Sequence, residues 1–360
     1  MSGRIHRRAV RLVGAGLSCG VFYGHIMALS PAFANGSMAN LDVDFHAQAI
    51  DQADRLVNLR SLLLSVNGEL VLERYFRGAT PTQWANVKSV SKSILSTLVG
   101  IALDRGHLAN LRDPIEKFFP DYFSRIREPA KKTITIEDLL TMRSGLETTS
   151  NRNYGRWVQS GDWVRHILTR PMVGEPGGRM VYSTGNSHLL SALLTRTTGM
   201  SLYDFARRNL AEPLGIDIRP WARDPQGVYF GGNEMHLTPR AMLAIGELYV
   251  NGGRANGTQV VSPAWVRESF RARTHSQRSG RAYGYGWWIG TVGGRQAYYA
   301  WGHGGQFIFV VPELKMVAVT TSALSVERQE RRAHRRAIHD LIDEYLVPVA
   351  IPRTVNAVTQ

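Results

Sequence analysis

The chain has 360 residues, of which 44% are hydrophobic and 20% are charged, a composition that excludes collagen-like, heptad-dominated and disordered chains. This length predicts one large domain or two interleaved domains. The formal net charge of +14 is compatible with a nucleic-acid or membrane-surface partner. The single cysteine, Cys19, excludes a disulfide framework and any cysteine-based zinc or iron-sulfur site.

The first 34 residues have the pattern of an export signal. Four arginines precede the uncharged stretch 12–29, and Ala32-Phe33-Ala34 has the small-x-small form of a signal-peptidase site. We therefore expect cleavage after Ala34 and a periplasmic or secreted mature protein. An uncleaved membrane anchor and lipid attachment at Cys19 are the alternatives, and the arginine pair in the leader does not decide the export route.

Strand-like and helical patterns then follow in a clear order. The runs Ser61 to Val66 and Glu69 to Phe76 are joined by Asn67-Gly68, a strong hairpin signal. Apolar residues recur with helical spacing around most of the circumference from Val90 to Arg105, which predicts a buried helix that ends at Gly106.

The middle of the chain is mostly helix and loop, and strand patterns return near the end. The predicted helices are Ile136 to Met142, Asp162 to Leu168, Asn186 to Thr197 and Leu202 to Leu210, and the predicted late strands are Tyr285 to Thr291, Gln296 to Trp301, Gln306 to Val311 and Lys315 to Thr321. A last helix is expected from Glu327 to Leu346, with the densest basic cluster of the mature chain at Arg328 to Arg336.

This order predicts an α+β fold, in which an antiparallel sheet built from both chain ends is flanked by helices and carries an inserted, mainly helical domain. The expected divisions are a signal peptide at 1–34, a discontinuous sheet domain at 40–120 and 255–350, a helical domain at 121–254, and a tail at 351–360.

Ser89 and Lys92 open the predicted buried helix, one turn apart on the same face. A serine at a helix start presents its backbone N–H outward, and the helix dipole together with burial favours a neutral lysine that can accept the serine proton. The alternative is a helix cap followed by a solvated lysine. The catalytic interpretation is favoured because Lys92 alone among six lysines has a serine three residues before it, and because it leads into the most apolar helix.

Two further stretches could contribute to the same chemistry. Tyr182 follows a turn-rich segment and could relay a proton, although its own residue pattern favours a packing aromatic. His303-Gly304-Gly305-Gln306 stands at the head of a predicted strand, where glycines let a backbone approach a ligand closely. A lone histidine in such a place is usually structural, but an exposed strand N–H near Ser89 would supply a second oxyanion donor.

These three stretches together resemble the penicillin-recognising serine hydrolases, a family that includes class C beta-lactamases, family VIII esterases, DD-peptidases and 6-aminohexanoate-dimer hydrolases. Ser89 to Lys92 is similar to the Ser-x-x-Lys motif of that family, Tyr182 to its Tyr-x-Asn motif, and His303 to Gly305 to its Lys-Thr-Gly or His-x-Gly strand. Supporting stretches resemble the family in the same order at 139–146, 237–242, 283–288 and 302–312.

The resemblance implies a beta-lactamase or DD-peptidase-like fold and acyl transfer without a metal or other cofactor. The implied roles are Ser89 as nucleophile, Lys92 as base, Tyr182 as proton relay, the backbone N–H groups of Ser89 and Gln306 as oxyanion hole, and His303, Gly304, Gly305 and Thr184 as substrate-binding residues.

Two departures from the family pattern favour an ester or small amide as substrate. Thr184 stands where beta-lactamases usually have asparagine, and His303 replaces the lysine that meets the substrate carboxylate in those enzymes. The stretch from Gly305 to Pro312 looks most like the 6-aminohexanoate-dimer hydrolase type. The alternative within this class is a beta-lactamase or DD-peptidase acting on beta-lactams or peptidoglycan peptides.

A more distant alternative is a non-catalytic basic protein that binds an anionic envelope polymer or nucleic acid. None of the six lysines completes a P-loop, the sequence has no zinc-finger or His-Glu-x-x-His spacing, and Arg328 to Arg336 reads as the solvated face of a helix. We therefore expect a small-molecule partner, no nucleic acid, and no membrane contact after cleavage of the signal.

Overall fold

The computed structural model describes residues 43–324 and 327–351. Within these ranges the strands are β1 (Leu59–Val66), β2 (Glu69–Tyr75), β3 (Ala85–Asn86), β4 (His236–Leu237), β5 (Arg254–Ala255), β6 (Thr258–Gln259), β7 (Thr274–His275), β8 (Ala282–Tyr283), β9 (Trp288–Val292), β10 (Arg295–Gly302), β11 (Gln306–Val311) and β12 (Met316–Ser322). Eight of them form one antiparallel sheet in the order β2-β1-β12-β11-β10-β9-β8-β7. The pairs β3-β4 and β5-β6 stand apart from it.

Helices occupy most of the remaining chain. They are α1 (Val43–Asp54), α2 (Ser91–Asp104), α3 (Pro120–Phe123), α4 (Pro129–Lys132), α5 (Ile136–Leu140), α6 (Tyr154–Val158), α7 (Trp163–Leu168), α8 (Thr184–Thr198), α9 (Leu202–Ala206), α10 (Glu212–Leu214), α11 (Pro239–Val250), α12 (Pro263–Phe270), α13 (Arg328–Leu341) and α14 (Val347–Ala350). Short 3₁₀ turns and two π-helical segments, Arg207–Ala211 and Ile342–Leu346, extend some of them.

The predicted α+β arrangement is confirmed, because the central sheet joins strands from both ends of the chain and the helices α2 to α11 lie between them in sequence. The first hairpin turns at Asn67 and Gly68, whose φ angles of 54° and 81° are the left-handed values that an Asn-Gly turn supplies at low cost. The division into domains at 121 and 254 stays a prediction. The predicted signal peptide at 1–34 and most of the predicted tail lie outside the described residues.

Both faces of the sheet are covered, so the central strands are apolar on both sides. Successive side chains of a strand point to opposite faces. Leu63 and Ile308 accordingly lie in a core shared with α2 and α11, whereas Leu62, Leu64 and Phe307 lie in a core shared with α1 and α13. In the part of the chain that the structure describes, no helix is long and apolar enough to cross a membrane.

The strand predicted to begin at Tyr285 begins three residues later, at Trp288. The intervening backbone is used to hold α2: the hydroxyl of Ser96 donates to the Tyr285 carbonyl at 2.7 Å, and the hydroxyl of Ser93 donates to the Gly286 carbonyl at 2.6 Å. Gly286 has a φ of 80°, and a Cβ there would lie 2.9 Å from the carbonyl oxygen of Lys92. This segment therefore fixes the first turns of α2 against the sheet.

We predict that Gly286→Ala destabilises the protein by more than Gly106→Ala. Both glycines have left-handed φ angles, of 80° and 75°, but a Cβ at Gly106 meets no atom within 4 Å. The Gly106 variant should cost only the backbone term of about 1–2 kcal/mol, and the Gly286 variant should add a steric cost of about 1–3 kcal/mol. Urea unfolding curves would measure both, and equal losses would show that α2 is not held tightly at this contact.

Candidate active site

Ser89 lies in a single 3₁₀ turn, Lys88–Val90, directly before α2. The residue before it, Lys88, has a φ of 51°, a left-handed conformation that is uncommon for a residue with a long side chain. The side-chain oxygen of Asn86 accepts the backbone N–H of Lys88 at 3.1 Å and supports this conformation. The turn therefore carries local backbone strain of the kind that is concentrated at functional sites.

Lys92 is the buried amine of the site, with only 3% of its surface exposed. Its Nζ donates to the hydroxyl of Ser89 at 3.0 Å and to the carbonyl of Gly232 at 2.6 Å, and it lies 3.3 Å from the hydroxyl of Thr184. Because burial removes water and these three partners are uncharged, the pKa of Lys92 falls to about 7. A large share of the amine is therefore neutral near neutral pH and can accept a proton from Ser89.

Tyr182 is the third member of this cluster. Its ring centroid lies 5.3 Å from Nζ of Lys92, and its ring stacks on Trp288 with a centroid separation of 5.9 Å. Burial raises the pKa of Tyr182 to about 12, and a hydrogen bond with the Ser89 hydroxyl opposes this effect. The phenol therefore keeps its proton at neutral pH, next to the serine oxygen.

Thr184 is buried and belongs to the surroundings of the lysine. It is the first residue of α8, and its backbone N–H donates to the hydroxyl of Ser150 at 2.9 Å. Its own hydroxyl lies 3.0 Å from the same Ser150 oxygen and 3.3 Å from Nζ of Lys92. The structure thus brings Ser89, Lys92, Tyr182 and Thr184 together.

The turn from His303 to Gly305 approaches the Ser89 turn through the end of β10. A Cβ at Gly302 would lie only 2.2 Å from the carbonyl oxygen of Val87, so the strand backbone packs directly on the segment before Ser89. Gly305 has a φ of 106°, and a Cβ there would meet Ile338 at 2.8 Å. The close approach to Val87 therefore requires glycine at Gly302, and the left-handed φ favours glycine at Gly305.

Gln306 pairs with Gly302 across β10 and β11 and is fully buried. Its side-chain amide donates to the carbonyl of Ser322 at 2.8 Å, and its side-chain oxygen accepts the backbone N–H of Ser322 at 3.1 Å. Both polar groups of the Gln306 side chain are therefore bonded to the backbone of β12.

His303 is exposed and lies beside the basic helix α13. Its Nε2 accepts from the guanidinium of Arg331 at 2.9 Å, and burial together with the charges of Arg331 and Lys88 lowers its pKa. The guanidinium of Arg335 lies 4.7 Å from the ring centroid of Trp301. Two members of the segment from Arg328 to Arg336, which the sequence predicts to be a solvated helix face, thus also contact His303 and Trp301.

Sequence reasoning missed the residues that hold the Ser89 turn to the Gly232 segment. Glu234, whose φ is 61°, pairs with Nζ of Lys88 at 2.8 Å and accepts from the side-chain amide of Asn86 at 2.7 Å. The adjacent glycines Gly231 and Gly232 were a usable signal of close backbone approach. Nothing in the local sequence around Glu234 marks it as a partner of a residue 146 positions away.

Comparison with known proteins identifies relatives across most of the chain. Residues 60–342 match the Beta-lactamase family. A 6-aminohexanoate-dimer hydrolase from Paenarthrobacter ureafaciens is 26% identical over 221 residues, 56% of this chain and 55% of that protein. Esterase EstB from Burkholderia gladioli is 27% identical over 150 residues, 36% of each chain. The chain therefore spans about half the length of the first of these curated relatives and about a third of the second.

A solved structure shows the same fold at low sequence identity. A penicillin-binding protein homologue from Caulobacter crescentus superposes with a TM-score of 0.69 and 16% identity, covering 85% of this chain and 98% of that one. At this identity the similarity concerns the fold. The family match extends well beyond half of the sequence, and the chain belongs to the Beta-lactamase family, a family of serine hydrolases with esterase and amidase relatives.

Proposed function

We propose that this protein hydrolyses an ester or a small amide through an acyl-enzyme formed on Ser89. The observation that carries the proposal is the 3.0 Å contact between the Ser89 hydroxyl and the buried amine of Lys92, whose pKa of about 7 makes it a base at neutral pH. The Ser-x-x-Lys spacing alone would match many helix caps. A desolvated lysine that points at the serine oxygen is a much more specific arrangement.

The proposed reaction has two half-reactions. Lys92 takes the proton of Ser89 while the serine oxygen attacks the substrate carbonyl carbon, and the tetrahedral intermediate then releases its alcohol or amine. Tyr182 donates its proton to that leaving group and recovers one from the Lys92 ammonium. A water molecule then attacks the acyl carbon and gives its proton to Lys92. As the bond between the acyl carbon and the Ser89 oxygen breaks, Lys92 returns a proton to that oxygen, and the acid product leaves Ser89 free.

The negative charge of the intermediate is proposed to rest on the backbone N–H groups of Ser89 and Gln306. Two contacts support this assignment. Gly302, which pairs with Gln306, packs on Val87 two residues before Ser89, and the Gln306 side chain is tied to Ser322. Both backbone segments are thus fixed before substrate arrives, which is what such stabilisation requires.

The choice of ester or amide rests on the residues around the cleft. Thr184 is engaged with Lys92 and Ser150, and we propose that it orients the amine besides any contact with substrate. His303, with Gly304 and Gly305 in the same turn, is proposed to bind the substrate through neutral donors and acceptors. The relatives named for 6-aminohexanoate-dimer hydrolysis and for esterase activity support the same substrate class.

Export is proposed from the leader at 1–34, which lies outside the described residues. A small-molecule substrate, with no nucleic acid and no membrane contact after cleavage, completes the proposal. The arginine excess then reflects composition rather than a polyanionic partner.

The direct test combines turnover with covalent labelling. The wild type should hydrolyse p-nitrophenyl butyrate or a short amide faster than nitrocefin, and a fluorophosphonate probe should label Ser89 in peptide mapping. Ser89→Ala should abolish both, whereas Ser91→Ala, which removes a hydroxyl bonded to the Lys88 carbonyl in the same turn, should remain labelled. An unlabelled Ser89 in folded protein would favour the non-catalytic binding alternative, and preference for nitrocefin would favour the beta-lactamase alternative.

The rate of fluorophosphonate labelling should follow the deprotonation of Lys92. With a pKa of about 7, the neutral fraction and hence the rate should rise about tenfold between pH 6 and pH 8. Lys92→Met should remove this inflection together with most of the reactivity. Lys131→Met serves as the matched control, because Lys131 is equally buried but pairs with Glu128 away from Ser89. An inflection that survives in Lys92→Met would assign the base elsewhere.

Tyr182→Phe should slow turnover by about 100-fold or more, because the leaving group loses its proton donor. The loss should be greatest for amide substrates, whose leaving groups need protonation most. Tyr283→Phe is the control, since Tyr283 is buried and packs edge-on against the Tyr182 ring at 6.4 Å. Steady-state kinetics would measure both variants, and similar rates for the two would return Tyr182 to a packing role.

A further inference from the structure

His188 and Asp224 form a second group of buried polar residues, next to the Gly231 backbone. The side chains of His188 and Asp224 are 0% exposed, and Nε2 of His188 lies 2.9 Å from Oδ2 of Asp224. The rings of Trp157, Trp163 and Phe230 surround the imidazole, with centroid distances of 5.8, 5.2 and 5.9 Å. Burial of such a pair among aromatic rings costs desolvation free energy, which only well-formed hydrogen bonds can offset.

The hydrogen bonds of the pair determine the tautomer of His188. The backbone N–H of Gly231 donates to Nδ1 of His188 at 3.3 Å, so Nε2 carries the proton and donates to Asp224. The other carboxylate oxygen of Asp224 accepts the backbone N–H groups of Gln226 and Val228 at 2.9 and 2.8 Å. The pair therefore ties helix α8 to the segment from 224 to 231.

That segment leads directly to the carbonyl that receives Lys92. Gly232 follows Gly231, and its carbonyl accepts from Nζ of Lys92 at 2.6 Å, the shortest of the three lysine contacts. The two glycines are closely packed and leave no room for a side chain. A Cβ at Gly231 would lie 2.7 Å from Cα of His188, and a Cβ at Gly232 would lie 2.8 Å from Cγ of Lys92.

Helix α8 holds the lysine at a second point as well. Thr184, whose hydroxyl lies 3.3 Å from Nζ, stands four residues before His188, so both project from one face of the helix. Two of the three partners of the lysine amine are thus set by α8, one through its own side chain and one through the histidine.

We propose that His188 and Asp224 are positioning residues that hold the Gly232 carbonyl on the amine of Lys92 and thereby aim that amine at Ser89. The importance of this aim for turnover rests on the proposed function of Ser89 and Lys92. Neither residue touches substrate. They act through the Gly231 and Gly232 backbone.

Loss of the pair has two expected consequences. A carbonyl acceptor stabilises the protonated amine more than the neutral one, so displacing the Gly232 carbonyl should lower the pKa of Lys92 below about 7. A less well-oriented amine should also slow acylation of Ser89 by about tenfold with little change in KM. The titratable and charged groups around this region include Tyr182, the Lys88–Glu234 pair, and Tyr154, whose hydroxyl accepts from the side-chain amide of Asn233 at 2.9 Å. The variants below leave all of them in place.

Three variants and one control test the proposal. Asp224→Asn keeps the volume, but its amide cannot accept from the imidazole and from both backbone N–H groups at once. His188→Gln keeps a donor near the Nε2 position and removes the acceptor of the Gly231 N–H, and His188→Leu removes both. Trp163→Phe loosens the aromatic packing at the ring that lies 5.2 Å from His188, without touching any of these hydrogen bonds.

The Lys92 pKa can be read directly by NMR of the full-length protein with isotopically labelled lysine, because the chain has only six lysines and Lys92→Met identifies the signal. Thermal unfolding monitors folding of each variant. We expect the Lys92 pKa to fall by about half a unit or more in Asp224→Asn and in the folded His188 variants, and to stay unchanged in Trp163→Phe even if that variant melts earlier.

The outcomes separate this inference from the proposed function. A Lys92 pKa that is unchanged or raised in Asp224→Asn and His188→Gln, at any melting temperature, overturns the positioning role. If the pKa falls as expected but kcat for p-nitrophenyl butyrate is zero in the wild type, the positioning role stands and the proposed function fails. If the wild type hydrolyses the substrate and the variants keep the wild-type kcat despite a shifted Lys92 pKa, the orientation of the amine does not limit the reaction. The proposed effect of His188 and Asp224 on turnover is then wrong.

Discussion

The feature on which the site depends is an amine kept out of water. A lysine whose pKa falls from 10.5 to about 7 on folding destabilises the folded state by roughly 5 kcal/mol at low pH, where the amine is protonated in both the folded and the unfolded chain. This cost is present in full below about pH 7, decreases as the folded amine loses its proton above that pH, and is gone above about pH 10.5. A neighbouring carboxylate would offset it but would also keep the lysine protonated. The uncharged partners Ser89, Thr184 and Gly232 leave the amine available as a base.

Close backbone packing surrounds the turn of α2 that carries that amine. A Cβ at Gly232 would lie 2.8 Å from Cγ of Lys92, a Cβ at Gly286 would lie 2.9 Å from the Lys92 carbonyl oxygen, and Gly302 packs on the segment before Ser89. On folding, each of these glycines loses more conformational entropy than a larger residue would lose at the same position. The chain accepts this loss where the backbone itself, rather than a side chain, forms the wall of the site.

Local patterns in the sequence predicted what local physics decides. The Asn67-Gly68 turn, the helix after Ser89 and the one-turn spacing of Lys92 depend on neighbouring residues, and each is found in the structure. The carbonyl of Gly232, which comes from 140 residues away, depends on tertiary packing that no window of sequence contains. The same holds for the late start of β9, because Tyr285 has strand-like character but its carbonyl is engaged by Ser96.

The separation in sequence of the parts around Lys92 has a consequence for folding. The amine belongs to α2, one acceptor belongs to α8, and another belongs to the segment after Asp224, so the low pKa exists only once all three have docked. Before that point the lysine is hydrated and protonated, and it imposes no desolvation cost on the separate parts. The cost arises only at the final docking, when the buried apolar surface of α2 and α8, from Ile94 to Leu193, is available to offset it. The low pKa of Lys92 is therefore a property of the completed core and not of any one of these segments.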